Sequence, residues 1–218
     1  MLFFRLAALS VLLLATLTAR AESLVVNGSL NGSIVNMGVP AGWFTLEGTP
    51  DTMDPSSNIG VAGLQSFGAT PTLSPDGGTW VGLGADTGYV ERFGQVLQGL
   101  SVGQTYTVSW QAANFGIDRG ANAYLGRNAI GVMLDGGFIG QGATLSLSPN
   151  WVTESLTFVA TASSQQLSFR LATSEKAYLG VDGISVSLGG TPPVPEPGTW
   201  ALMGLGLAAV ILARRRQA

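Results

Sequence analysis

The side chains able to do chemistry in this chain are carboxylates and aromatics. Histidine and cysteine are both absent from its 218 residues. That removes Ser-His-Asp and Cys-His catalysis, His/Cys zinc sites and any disulfide. Of the carboxylates, Glu91, Glu154 and Asp182 fall on strand-like runs. Glycoside hydrolysis needs two such groups about 5–10 Å apart, whereas isolated carboxylates on the wet faces of strands are ordinarily solvated. Asp51 and Asp54, spaced D-x-x-D, could offer oxygens to a cation. Trp43, Trp80, Trp110 and Trp151, with Tyr89, Tyr124 and Tyr178, are rings on which a sugar could stack. Trp110 alternates with Tyr106 and Val108 and reads as core. Trp43, Trp80 and Trp151 are kept as candidate ligand-binding residues.

Positioning these groups falls to β-structure. Short runs rich in Val, Thr, Ser and aromatics are punctuated by Gly, Asn, Pro and Asp, and no long helical period appears between the chain ends. The spacing predicts strands over 23–26, 42–47, 79–83, 89–97, 105–114, 128–134, 138–140, 144–147, 152–160, 165–172 and 179–188. In TYTVSWQA, Tyr106, Val108 and Trp110 share one face. In QLSFRLA, Leu167, Phe169 and Leu171 do. In GVDGISVSLG, Val181, Ile184, Val186 and Leu188 point inward if Asp182-Gly183 makes a bulge. Period-two strands with one wet face predict antiparallel sheets, and many short strands with Gly/Pro turns predict a sandwich. Asp135-Gly136-Gly137 is a hairpin signal. Asp86-Thr87-Gly88 matches the D-T-G of aspartic proteases, but those need two facing aspartates and no second D-T-G or D-S-G occurs. The tripeptide reads as a turn. Residues 48–78 have little periodicity and many breakers, the mark of a functional or mobile loop.

From Glu22 to Thr191 there are 12 acidic and 5 basic residues, a net charge of −7. Such a surface argues against nucleic acid or anionic lipid as a partner. The N-terminus carries Arg5, an apolar run over 6–17, and then Ala19-Arg20-Ala21. This is the layout of a secretory signal peptide, 1–21, with Ala19 and Ala21 at the positions signal peptidase reads. The region 22–188 is long enough for one domain with a real core. A Gly/Pro linker, GGTPPVPEP, follows over 189–197. The 16 residues from Gly198 to Ala213 are uncharged. As a helix they would extend about 24 Å against roughly 30 Å of bilayer hydrocarbon. Trp200 and the snorkelling of Arg214, Arg215 and Arg216 suit a short anchor over 198–218, with the arginines cytoplasmic.

Pro195-Glu196-Pro197, the Gly-rich apolar run and the terminal Arg214-Arg215-Arg216 resemble the PEP-CTERM sorting signal of Gram-negative bacteria, in all three of its parts and in order. The resemblance implies recognition of Pro195, Glu196 and Pro197 by exosortase, a membrane transpeptidase-like enzyme, with the arginines as topogenic cluster. It also implies association with exopolysaccharide or biofilm systems. The prolines would present an extended backbone that an enzyme cleft reads at little ordering cost.

The ectodomain also resembles jelly-roll modules of galactose-binding-like fold, some of which bind carbohydrate. The similar pieces are Leu24-Val25-Val26-Asn27-Gly28-Ser29, Pro40-Ala41-Gly42-Trp43, Phe93-Gly94-Gln95-Val96-Leu97 with Leu100-Ser101-Val102-Gly103-Gln104-Thr105-Tyr106, and Leu179-Gly180-Val181-Asp182-Gly183-Ile184-Ser185-Val186. The resemblance implies a structural calcium between first and last strands. Asp182 matches the last-strand position, and Asp51 and Asp54 could contribute. Leu30 and Asn31 stand where the first-strand pattern has an aromatic and an acid.

The expectation is therefore an all-β protein. An antiparallel jelly-roll-type β-sandwich is flanked by a signal peptide and a single C-terminal hydrophobic helix. Its expected partners are signal peptidase, exosortase, the inner membrane and exopolysaccharide, with no nucleic acid. Its expected role is non-enzymatic: binding or organising polysaccharide at the envelope or cell surface. A structural matrix protein without ligand and a carboxylate-based glycoside hydrolase are the alternatives.

Overall fold

A computed structural model describes residues 23–57 and 66–189. The expected signal peptide, the sorting triplet, the arginine cluster and the C-terminal helix lie outside the described residues. Among those described, no helix is long and apolar enough to cross a membrane.

The strands are β1 (Phe44–Glu47), β2 (Asp51–Met53), β3 (Trp80–Asp86), β4 (Tyr89–Val90), β5 (Arg92–Gln98), β6 (Thr105–Ala113), β7 (Ile130–Leu134), β8 (Gly137–Gln141), β9 (Val152–Val159), β10 (Ser164–Leu171) and β11 (Ala177–Leu188). One sheet runs β1-β5-β10-β7-β8 and the other β2-β3-β11-β6-β9, with β4 paired to β3. Every pairing is antiparallel. With the edge strands β1, β2 and β4 set aside, the rest pair first-last-third-sixth in one sheet and second-seventh-fourth-fifth in the other. This is the two-sheet Greek-key order of a jelly roll.

The alternation in the sequence drives the packing. Tyr106, Val108 and Trp110 of β6, Leu167, Phe169 and Leu171 of β10, and Val181, Ile184 and Val186 of β11 all lie in the main core. At its centre Trp43, Phe93, Phe169 and Trp110 pack ring to ring, at centroid distances of 5.1–6.2 Å. The pairing of β11 with β6 shifts register between Asp182 and Ser185, and Gly183 has φ +55°. The expected bulge is therefore present, and it keeps Ile184 and Val186 facing inward beyond it. Leu188 does not follow them: at the end of β11 it is 53% exposed. Asp135 (φ +49°) and Gly136 (φ +80°) form the two-residue hairpin turn between β7 and β8.

Other expectations change, and the strand expected over 89–97 breaks at Glu91 into β4 and β5, which lie in different sheets. Residues 23–26 form no strand, although Leu24 N–H donates to the Val186 carbonyl and Ile184 N–H to Gly28, which ties this segment to β11. Residues 144–147 contribute only an isolated bridge, Leu145 with Asn128. The stretch 48–78 contains β2, three buried residues paired with β3. A further change has the largest consequence: β3 and β11 are not wet on one face. Val81, Leu83, Leu179 and Val181 face the main core, while Trp80 and Tyr178 face a second cluster with Met53, Phe115 and Ile117. Loops cover that outer face. Ala69 N–H donates to the Phe115 carbonyl, Gly116 N–H to Tyr178, and Ser148 N–H to Asn114.

Candidate functional site: a tyrosine-lined cavity on the outer face of one sheet

Where the loop cover stops, beside β2, β3 and β4, a cavity of about 240 Å³ opens. Asp51, Glu91, Tyr178, Tyr89, Tyr124 and Arg119 supply most of its chemistry. Local sequence explains the opening. Gly82 and Gly84 occupy the outward positions of β3, where side chains would otherwise stand. A Cβ at Gly82 would overlap the Tyr178 hydroxyl, and one at Gly84 would lie 3.3 Å from Glu91 Oε2. The two glycines thus leave room for a tyrosine from β11 and a carboxylate from beyond β4 to lie over the strand.

Each carboxylate is held in place. Asp51 Oδ2 accepts from the Tyr178 hydroxyl at 2.9 Å and Oδ1 from the Met37 backbone N–H at 2.8 Å. Glu91 Oε1 accepts from the Tyr89 hydroxyl at 2.6 Å and the Thr49 hydroxyl at 3.1 Å, and Oε2 accepts from the Gly84 N–H. Burial pushes Glu91 up to about 7, outweighing these donors, and the neighbouring charge of Asp51 adds to the rise. Burial likewise raises Asp51, against the Met37 and Tyr178 hydrogen bonds and the Arg119 charge. Burial raises Tyr178 well above the ordinary phenol range, reinforced by both carboxylates, so it is a permanent hydroxyl donor. Burial and the Glu91 hydrogen bond push Tyr89 up to about 12. Near neutral pH the site thus offers neutral hydroxyls and one carboxyl close to half-protonated, which suits exchange of hydrogen bonds with an uncharged polar ligand.

The rim is less constrained. Met37 is 62% exposed and has φ +61°, an uncommon backbone for a non-glycine residue that recurs at functional sites. The Arg119 guanidinium carbon lies 5.5 Å from the Tyr124 ring centroid and Lys176 Nζ 4.8 Å from it.

The sequence candidates divide sharply. Tyr89, Tyr124 and Tyr178 all line this one cavity. The tryptophans do not: Trp43 is buried against Phe93 and Phe169, and Trp80 against Phe67 and Phe115. Trp151 packs edge-on to Trp80 and Phe115, and its indole N–H donates to the Thr72 carbonyl. Trp43, Trp80 and Trp151 therefore form no stacking platform, because aromatic area this large is drawn into the core and the loop cover. The three aspartates offered for calcium are likewise not brought together. Asp51 serves Tyr178. Asp54 closes its own turn, accepting from Ser56 and Ser57. Asp182 accepts from the Ser74 hydroxyl. Among the described residues no three acidic groups share a metal-sized site. Asp86-Thr87-Gly88 is the hairpin turn between β3 and β4, with Asp86 Oδ1 accepting from the Thr87 N–H at 2.7 Å. Glu154 sits on β9 and accepts from the Ala143 N–H at 3.1 Å, away from the cavity lining. Arg119 and Met37 gave no signal in the sequence, since one lies in an irregular loop and the other works through its backbone.

Comparison with known proteins adds the sorting signal. Residues 193–217 match the model described as the PEP-CTERM protein-sorting motif. The chain carries a PEP-CTERM sorting motif. The motif implies an exported protein with a membrane-anchoring C-terminus and processing by exosortase. No curated protein matches the chain. Among solved structures, the chain is similar to the EclA C-terminal domain, described as a sugar-binding protein (24% identity, 43% of this chain and 64% of that one, TM-score 0.34). It is similar to a structure described as CBM4 (22% identity, 76% and 99%, TM-score 0.42). It is also similar to an arabinose-bound α-L-arabinofuranosidase (14% identity, 77% and 26%, TM-score 0.48). The chain thus spans just under two thirds of the first of these and about a quarter of the last.

Proposed function

We propose that the β-sandwich is a non-catalytic module that binds a neutral saccharide in the cavity floored by Asp51, Glu91 and Tyr178. The observation that carries this reading is the lining itself. Hydroxyls, carboxyls and tyrosine rings converge on one concave space, the mixture that recognises ring faces and hydroxyl groups together. The net charge of −7 from Glu22 to Thr191 disfavours polyanionic polymers. Coupled to the sorting motif, the module would hold or organise exopolysaccharide at the envelope or cell surface. Signal peptidase would remove 1–21 after Ala21, the linker over 189–197 would present Pro195-Glu196-Pro197 to exosortase, and 198–218 would be the transient inner-membrane anchor. A structural matrix protein without ligand would have no need of this cavity.

The test is affinity electrophoresis of the full chain, solubilised in detergent, through gels containing soluble neutral glucan, galactan or mannan. Retardation by at least one polymer, weakened in Glu91→Gln, is expected. Free migration in all three overturns the binding reading in favour of the structural one. For sorting, intact mass from a host carrying an exosortase should show a C-terminus before Ala218, and an uncleaved chain defeats that claim.

One feature favours a second reading: burial pushes the Glu91 carboxyl up to about 7 beside Asp51, the range in which a general acid of a glycoside hydrolase works. Both oxygens of Glu91 are, however, engaged by donors within the protein. Release of reducing ends from the retarding polymer, abolished in Glu91→Gln, would establish hydrolysis instead.

A further inference from the structure

We infer that the saccharide site continues past Tyr89 into a second cavity, so that the ligand is a stretch of polymer of at least two sugar units and not a single sugar. The inference rests on the reading that the first cavity binds saccharide.

The second cavity, of about 300 Å³, is lined by Glu47, Asp86, Arg170, Thr173 and Ser174, among others. Tyr89 is the one residue common to both linings. Neither cavity alone exceeds the lower end of the roughly 300–1,000 Å³ typical of small-molecule sites. Joined across Tyr89 they fall well within that range.

Tyr89 is built to be a shared wall. It sits directly after the Thr87-Gly88 turn, opposite Asp86 in the β3–β4 pair. Its hydroxyl is pinned between Glu91 Oε1 at 2.6 Å and Thr49 at 2.9 Å, so the ring cannot swing aside. The residue remains 38% exposed. A fixed, half-exposed phenol between two polar hollows is a surface on which one sugar stacks while its neighbours enter on either side.

The second hollow also has the right polarity. Its acids are already matched, Asp86 with Lys176 at 2.9 Å and Glu47 with Arg92 at 3.6 Å. Arg170 Nε donates to the Leu171 carbonyl at 3.1 Å, which leaves the outer guanidinium nitrogens as donors beside the Thr173 and Ser174 hydroxyls. With those acids matched, the second hollow offers hydroxyls and one arginine, as the first offers hydroxyls and Arg119, and these can donate to the hydroxyls of an uncharged sugar. The two hollows therefore make one groove of a single chemical character.

The test is a chain-length series. The full chain in detergent is titrated by calorimetry with one to four units of β-1,4-linked glucose, galactose and N-acetylglucosamine. In the series that binds, affinity should rise at least tenfold from one unit to three and then level off. Ser174→Trp, at an exposed position, should fill the second hollow and bring the trisaccharide down to the level of the monosaccharide. Thr173→Trp is the second variant, and circular dichroism confirms that both remain folded. Binding that is independent of chain length, or a trisaccharide untouched by both variants, overturns the second cavity and leaves the first standing. No binding in any series overturns both.

Discussion

Two buried carboxyls of this protein, Glu91 and Asp182, share their burial and its effect but not their surroundings: both oxygens of Glu91 have donors, whereas Asp182 Oδ1 has none. Both are nearly inaccessible. Burial pushes both up to about 7. Both accept from hydroxyls, Glu91 from Tyr89 and Thr49, Asp182 from Ser74. Glu91 nevertheless lines an open cavity, whereas Asp182 is capped by the segment that carries Ser74. The same cost of burial is thus put to two uses. At Asp182 it ties a loop down over the outer face of the sheet, and at Glu91 it fixes the Tyr89 and Thr49 hydroxyls at the wall of a hollow. A raised pKa alone does not mark a site; beside open space it marks a candidate.

The largest expected effect separates these roles by stability. Asp182→Ala strips Ser74 of its acceptor and empties part of the loop cover, and it should cost about 3 kcal/mol in urea unfolding. Saccharide binding, measured where the variant is fully folded, should be unchanged. A loss of binding there would merge the two roles.

Next in size is the pH dependence. Both carboxyls keep protons in the native state that the unfolded chain releases between about pH 4 and 7. Native protein therefore binds more protons than unfolded protein in that window, and stability should fall as pH rises through it, by about 3 kcal/mol for each group. Glu91→Gln should remove one share of the slope and Asp182→Asn the other. A stability that rises from pH 5 to 8 would refute the assignment for both.

Smaller again is the binding effect of Glu91→Gln, about a tenfold loss of saccharide affinity at pH 7, measured where the variant is fully folded. Ser74→Ala should have the smallest effect, about 1 kcal/mol of stability and no change in affinity. If Ser74→Ala weakened binding more than Glu91→Gln did, the contrast would have been drawn the wrong way round.

The sandwich was legible because β6 and β10 alternate strictly, and one period of apolar residues can serve only one buried face. The bulge at Asp182-Gly183 was legible for the same reason, since the inward set of β11 realigns only if a residue is skipped. β2 was hidden: three residues, DTM, lie in a breaker-rich stretch too short to show a period. The double burial of β3 was hidden as well, because glycines at 82 and 84 look like breaks in a pattern. They are in fact the space beneath Tyr178. For the site, sequence reasoning singled out all three tyrosines and Glu91 but could not gather them. It favoured tryptophans, whose larger apolar area sends them inward. Met37 could not be found from residue type, because what it offers Asp51 is a backbone N–H.

The last strand has a mechanical consequence. β11 runs for twelve residues between β3 and β6, with the 23–28 segment bonded along it as well. It is also the strand that leads out to the sorting motif at 193–217. While the C-terminus is anchored, tension against a polymer bound beside β3 as proposed would pull β11 lengthwise against both neighbours. Its ladder bonds would then be strained together in shear instead of opening one by one from an end. The strand that precedes the sorting motif is the one the sheet grips on both sides.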